Sequence, residues 1–404
     1  MKAQDSVKNY PSALREMTNF SVRGIKKICK DVGPRPAGSE QEHEAQKLMA
    51  AELDGACDKV EIEPFDVHPG AFLGWILTDG IMMIAAIVLF FFGMSVISLV
   101  LSALSLIFAI VEFLLYKKML DPFFPKKTSH NVVAVRKPKG EVKRRIFFNG
   151  HPDAAWEWPV NYKLGGVGFE GHAVICGIGA VYYLVISIML VAKNGLEYVS
   201  FDADETLGLL RLIGLVFVPF LIGLYWMWNE NRIVDGANDN LSGCYMGIAI
   251  LKALKEEGIE FENTEVGCIC AGGEEAGLRG AKAWVKAHKN DFKDCPTTIL
   301  CLDTLREQDH MLVNHKDMNG LMQCDKEATQ IWLEACEQEG ISCKKGSVAL
   351  GATDAAAYTE GGFKSVCVTA MNFNLPRYYH TRLDVAEDVD AGGFHGLLVG
   401  FPDV

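Results

Sequence analysis

The chain has 404 residues, half of them hydrophobic, and a formal net charge of −12. That length allows one or two domains with a sizeable core, and the acidic balance leaves no basic footprint for a nucleic-acid partner. The twelve cysteines form no zinc-type CxxC pair, and thiols scattered through a chain this long fit a reducing compartment better than a disulfide framework.

In chain order, residues 1–21 are polar and lack the apolar stretch of a signal peptide. A turn-rich motif follows, Gly33-Pro34-Arg35-Pro36-Ala37-Gly38-Ser39 and then Glu40. Residues 71–116 are almost continuously apolar, too long for one membrane span and right for two at roughly 20 residues each. Gly93 divides them into spans at 72–92 and 95–116. A second pair is expected at 172–192 and 207–228, separated by a polar, acidic loop at 194–205 and closed by Trp226 and Trp228 as interfacial anchors.

Four spans put all remaining polar sequence on one side of a bilayer. Lys117, Lys118, Lys126 and Lys127 follow the first pair, with Arg136, Lys137, Lys139, Lys143, Arg144 and Arg145 soon after. The opposite loop sets Lys193 against Glu197, Asp202, Asp204 and Glu205. The positive-inside rule then makes this a multi-pass integral membrane protein with its large polar part in the cytoplasm. Asp79 and Glu112 are expected within about two turns of the polar-domain ends of their helices, lining a wet entrance or sitting at headgroup level. Arg211 is placed near the far interface, where its side chain can snorkel.

With the hairpins 71–116 and 171–228 set aside, the parts 1–70, 117–170 and 229–404 alternate strands and helices. Strands are expected at 131–135, 145–148, 265–270, 298–302 and 365–369. Helices are expected at 241–257, stopped by Gly258, at 281–289, and at 326–338, ended by Gly340. The pattern predicts an α/β fold, a mixed and largely parallel sheet flanked by helices. Ligand sites in such sheets lie beyond the carboxyl ends of strands. His151 and Asp153, Glu274 and Glu275, and Asp303 all fall there. Acidic groups and an imidazole gathered at one sheet edge call for a cation between them.

These residues sit in segments that resemble the M28 metallopeptidase family. Gly33 to Glu40 resembles its N-terminal signature, Gly150-His151-Pro152-Asp153 its G-H-x-D segment, and Gly236-Ala237-Asn238-Asp239-Asn240-Leu241-Ser242-Gly243 its G-A-x-D-N-x-S-G segment. Glu274-Glu275-Ala276-Gly277-Leu278-Arg279-Gly280 matches E-E-x-G-L-x-G, Leu302-Asp303 fits the next ligand, and Tyr379-His380-Thr381 with Asp384 resembles Y-H-T-x-x-D. One such motif is weak; the set in family order is specific.

The resemblance implies a zinc-exopeptidase fold carrying two Zn2+. His151 and Asp303 would bind one ion, Glu275 and His380 the other, and Asp239 would bridge them. Glu274 would act as general base, and Asp153 would orient His151. Asp384 is either a partner to the ligands or a helix cap. Asp354 falls where family members carry a polar residue near the substrate pocket, and an ordinary turn aspartate fits equally. Tyr379 could stabilise a tetrahedral oxyanion or simply pack. Unlike most of the family, this chain has hairpins inserted within the domain, which bears on how substrate arrives.

The function implied is a membrane-embedded aminopeptidase or dipeptidase acting on short peptides. The alternative is a di-zinc deacylase for N-acyl or lipidated amino acids or peptides, reaching the site from the bilayer. No motif encodes an oligomeric state.

Overall fold

The strand Thr264–Ala271 buries every side chain but one, so it belongs at the centre of a sheet covered on both faces. The computed structural model, which describes residues 7, 10–196, 205–372 and 374–389, places it there. In chain order the strands are β1 (Lys59–Val67), β2 (Lys127–Arg136), β3 (Arg144–Gly150), β4 (Trp156–Glu157), β5 (Asn229–Ile233), β6 (Thr264–Ala271), β7 (Thr297–Leu305), β8 (Met311–Asp317), β9 (Met322–Gln323), β10 (Lys344–Ser347) and β11 (Lys364–Ala370). Among the described residues, nine form one sheet in the order β1-β2-β6-β3-β7-β11-β8-β10, with β9 beside β8. The central run β6-β3-β7-β11 is parallel. β1 and β2 extend it antiparallel on one side, and β8 on the other. β1 is an edge strand, and its alternating charges and Pro64 discourage further pairing.

The chain divides into two units. The first comprises residues 1–69, 125–157 and 230–404 and contains the nine-stranded sheet. The helices expected from the sequence lie at Ser242–Glu256, Arg279–His288 and Lys326–Gln338. Two amphipathic helices precede them, Tyr10–Asp31 and Glu40–Asp54. The first buries Leu14, Met17, Ile25 and Ile28, and Ser39 caps the second by accepting the Glu42 N–H at 3.0 Å. Glycine lets the helix Ser242–Glu256 approach the end of β3 closely. A Cβ on Gly150 would lie 2.5 Å from the Cys244 nitrogen, and one on Gly243 would lie 2.1 Å from the Leu302 oxygen.

Among its described residues the second unit, residues 70–124 and 158–229, has four helices long and apolar enough to cross a membrane: Pro69–Phe91, Ser95–Leu114, Pro159–Asn194 and Gly208–Trp226. Their burial is inside out. On the second helix Ser95, Ser98, Ser102 and Ser105 are buried, at heptad-like spacing, while Ile97, Val100, Leu104 and Ile107 are exposed. Ser98 and Ser187 share a hydrogen bond at 3.1 Å, and Ser105 donates to Asp79 at 2.5 Å.

Three expectations change here. The third apolar helix begins at Pro159, well before residue 172, because a proline at the first turn starts it although residues 159–171 are only weakly apolar; Gly165 kinks it. The fourth is interrupted by a 3-10 turn at Leu215–Phe217, next to Pro219, whose missing N–H cannot continue the helical ladder. Because the first helix starts at Pro69, Asp79 lies midway along it, packed on Ser105 rather than near its end. Glu112 is fully buried and accepts the Leu120 N–H at 2.6 Å. The loop residues Glu197, Asp202 and Asp204 lie outside the described residues.

Candidate metal centre and active site

The carboxyl ends of β3, β6 and β7 bring the predicted acids and imidazoles to one place. His151 follows β3 directly, and Glu274 and Glu275 follow β6 across Gly272 and Gly273. Asp303 sits within β7, which runs on to Leu305 rather than ending before the aspartate. Asp239 lies on the turn Ala237–Leu241 leading into the helix Ser242–Glu256, and the Asp239–Asn240 peptide is cis. His380 comes from the loop after β11, with φ +52°.

Three overlapping groups of donor atoms result. His151, Asp239 and Asp303 form one, Asp239, Glu275 and His380 another, each with its donor atoms within 4.8 Å of one another. His151, Glu274 and Glu275 form the third. His151 Nε2 lies 3.3 Å from Asp239 Oδ1 and 3.8 Å from Glu274 Oε2. His380 Nε2 lies 2.9 Å from Asp239 Oδ2 and 3.2 Å from Glu275 Oε1. Those last two carboxylate oxygens are buried and accept no hydrogen bond. Buried anionic oxygens facing an imidazole nitrogen without hydrogen-bond geometry suit a shared divalent cation, and the mixture of imidazole and carboxylate suits zinc.

Burial makes the cluster electrostatically costly. It drives the Glu274 carboxyl well above its ordinary range, against the pull of His151, and raises Glu275 as well. Burial and then the Asp239 carboxylate push Asp303 up to about 7. Asp239 is the exception: burial opposes its charge, but the His151 and His380 imidazoles close beside it outweigh burial and hold it low. Burial likewise opposes a charged His380, yet Glu275 and Asp239 lift it to about 10.

The surrounding residues fix backbone as much as side chains. Asp153 sits 3.4 Å from His151 Nδ1, and its carboxylate also accepts the backbone N–H groups of Glu274 at 3.1 Å and Glu275 at 3.0 Å. Asp384 is no helix cap. One of its oxygens accepts the Asn238 N–H and side-chain amide, and the other accepts the Asp239 N–H at 3.0 Å. Asp354 is buried; Asn149 donates to Oδ2 at 2.9 Å, and Tyr358 donates to Asn149 at 2.7 Å. Burial pushes Asp354 up to about 6, and its position is felt at both His151 and Glu274. It also begins a short helix, Asp354–Glu360. The Tyr379 ring stacks on His380 with centroids 4.1 Å apart.

Sequence reasoning assigned no role to several supporting residues. Arg35 is fully buried and donates to the carbonyls of Pro152 at 2.8 Å, Gly33 at 2.9 Å and Gly236 at 3.1 Å. One guanidinium thus ties the His151 loop to the Asp239 turn. Glu42 accepts the N–H of Gly273 at 2.9 Å, that of Gly38 at 2.7 Å and the Ser129 hydroxyl at 2.8 Å, anchoring the backbone just before Glu274. Arg382 meets the buried Glu157 through two bonds of 2.5 and 2.8 Å. Arg35 lies inside the Gly33–Glu40 motif, which was its one visible signal.

The model of Peptidase family M28 matches residues 225–397. Over those residues the chain resembles an M28 peptidase. Asp239, Glu274, Glu275, Asp303 and His380 fall inside the M28 match, while His151 and Asp153 precede it. No curated protein matches. Among solved structures, the glutaminyl cyclase of Bacteroides thetaiotaomicron bound to N-acetylhistamine aligns with a TM-score of 0.55 at 13% identity, covering 96% of each chain. The zinc aminopeptidase BSAP of Bacillus subtilis aligns with a TM-score of 0.55 at 13% identity, covering 95% of this chain and 94% of that one. The glutaminyl cyclase of Fimbriiglobus ruber has a TM-score of 0.55 at 12% identity, over 96% and 93%. These likenesses establish the fold, and with the M28 match they describe an M28-like hydrolase.

Proposed function

We propose that this protein is a membrane-embedded, di-zinc exopeptidase, an aminopeptidase or dipeptidase acting on short peptides. The observation that carries the reading is the pair of donor groups sharing Asp239, His151–Asp239–Asp303 and Asp239–Glu275–His380. They would hold two ions, the Asp239 carboxylate being common to both groups. A zinc pair held there supplies Lewis acidity toward the scissile carbonyl and the attacking water.

The chain's own residues do the rest. Glu274, 3.8 Å from His151 Nε2, takes the proton of the attacking water and passes it to the leaving amine. Asp153 fixes the Glu274–Glu275 backbone, so the base and its neighbour keep separate directions. Tyr379, stacked on His380, and Asp354, buried and hydrogen-bonded by Asn149, are the residues this reading assigns to substrate.

The four apolar helices and their exposed Ile, Val and Leu side chains support residence in a bilayer. The lysines and arginines between residues 117 and 145 support a cytoplasmic catalytic unit. A deacylase acting on N-acyl substrates is the second reading, favoured by the insertion of apolar helices between the segments of the catalytic unit. Purified, zinc-loaded protein should be offered free-amine dipeptides, N-acyl dipeptides and peptides with an N-terminal glutamine. Release of free amino acid from the first set alone supports exopeptidase action. Turnover confined to the N-acyl set moves the assignment to deacylation, and cyclisation of the third set to glutaminyl-cyclase chemistry.

A further inference from the structure

The apolar helices carry one feature that hydrolysis does not use. A groove of about 340 Å³ runs between the end of the helix Pro69–Phe91 and the interrupted fourth span. Ile84, Val88, Phe91 and Phe92 line one side, and Leu215 and Val218 the other. Every lining side chain is apolar, and Val88, Phe92 and Leu215 are exposed. The groove exists because the fourth span tightens into its 3-10 turn at Leu215–Phe217 beside Pro219 and no longer follows a regular helical surface.

A charged group stands at the rim. Four residues before Leu215, the Arg211 guanidinium lies over the Phe91 ring, 5.0 Å from its centroid. Phe91 therefore forms a wall of the groove and a platform for the cation. Phe91 closes its helix just before the Gly93 turn, and Arg211 belongs to the first helical segment after the 194–205 loop. Both stand at the same end of the bundle, where a membrane helix meets the headgroup region and a long basic side chain reaches it.

We propose that this groove binds one anionic glycerophospholipid, an acyl chain lying along Val88 and Leu215 and the phosphate meeting Arg211. A polar or peptide occupant would leave its hydrogen-bonding groups without partners against an all-apolar lining. A hydrocarbon chain loses nothing there, and the planar, multiply donating guanidinium matches a phosphate diester. The site rests on the reading that these helices lie in a bilayer, and the experiment separates the two.

Full-length protein is purified in a mild detergent and titrated with palmitoyl-oleoyl phosphatidylglycerol or the matching phosphatidylcholine, bound lipid being counted by native mass spectrometry. The wild type should retain phosphatidylglycerol about fivefold better, the worth of one basic residue at an anionic lipid surface. Arg211→Gln should abolish the preference and Arg211→Lys should largely keep it. Val88→Trp and Leu215→Trp, filling the groove from opposite sides, should reduce retention of both lipids. Unchanged zinc content in each variant certifies the fold. Equal retention of the two lipids by the wild type, or full selectivity in Arg211→Gln, overturns the site. Failure of the wild type to float with vesicles of pure phosphatidylcholine instead overturns the membrane reading beneath it.

Discussion

The Asp384 carboxylate accepts the backbone N–H of Asp239 at 3.0 Å and that of Asn238 at 2.9 Å, so one acid sets the attitude of another through main chain alone. Asp239 is the residue shared by two donor groups. Its direction must be fixed before either group can close.

Replacing Asp384 with Ala should therefore weaken zinc binding about 10- to 100-fold, the usual scale for a residue supporting a metal ligand. Competition with a fluorescent chelator reads this directly. Asp384→Asn keeps one acceptor for the paired N–H groups and should fall between wild type and Ala. Unchanged affinity in the Ala variant would detach Asp384 from the centre.

Glu274→Gln should lower turnover about 10²- to 10⁴-fold, the range for loss of a positioned base. Zinc content, measured by atomic emission, should stay at the wild-type level. Glu274 also lies within ligand range of His151 and Glu275. Loss of an ion together with activity would make it a ligand rather than a base.

His288 Nε2 lies 2.9 Å from both Glu63 oxygens, joining the helix Arg279–His288 to β1. The Glu63 hydrogen bond raises the His288 pKa above its ordinary value. A raised histidine pKa gives stability that is complete below the unfolded value near 6.5 and lost as pH rises through the folded value. His288→Gln should thus destabilise the protein by about 0.5–1 kcal/mol in mildly acidic buffer and by less in alkaline buffer. Thermal unfolding across that range measures it; a constant difference at every pH would show the pair to be electrostatically idle.

Ser105→Val should cost about 1–3 kcal/mol, because it removes the 2.5 Å donor to the buried Asp79 and leaves a carboxyl oxygen without that partner. Pairing it with Asp79→Leu should recover part of the loss, since an apolar pair of similar size needs no partner. Unfolding in detergent tests both. A double variant no more stable than the single one would assign Ser105 to packing rather than to Asp79.

Much of the site was legible because each candidate occupies a short motif next to a strand. His151, Glu274 and Glu275 each follow a buried β-rich run, and that adjacency is local information. The strands β1, β8 and β10 were not legible. β1 carries four charged residues in nine, and its pairing with β2 supplies the order that its composition does not. The amphipathic helices before residue 54 were hidden by their polar faces, although Leu14, Met17, Ile25 and Ile28 fall on one buried side.

By itself the sequence determined the alternation of strands and helices, the presence of four long apolar helices and the identity of the acids and imidazoles. Those depend on periodicity, run length and local motifs. Only the tertiary structure decided that Arg35 ties Pro152 to Gly236, that Glu42 anchors Gly273, and that Asp384 serves Asp239. Such bonds join a side chain to backbone groups up to 231 positions away. A carbonyl or N–H looks the same at every residue, so nothing in the sequence marks which of them a distant side chain will hold.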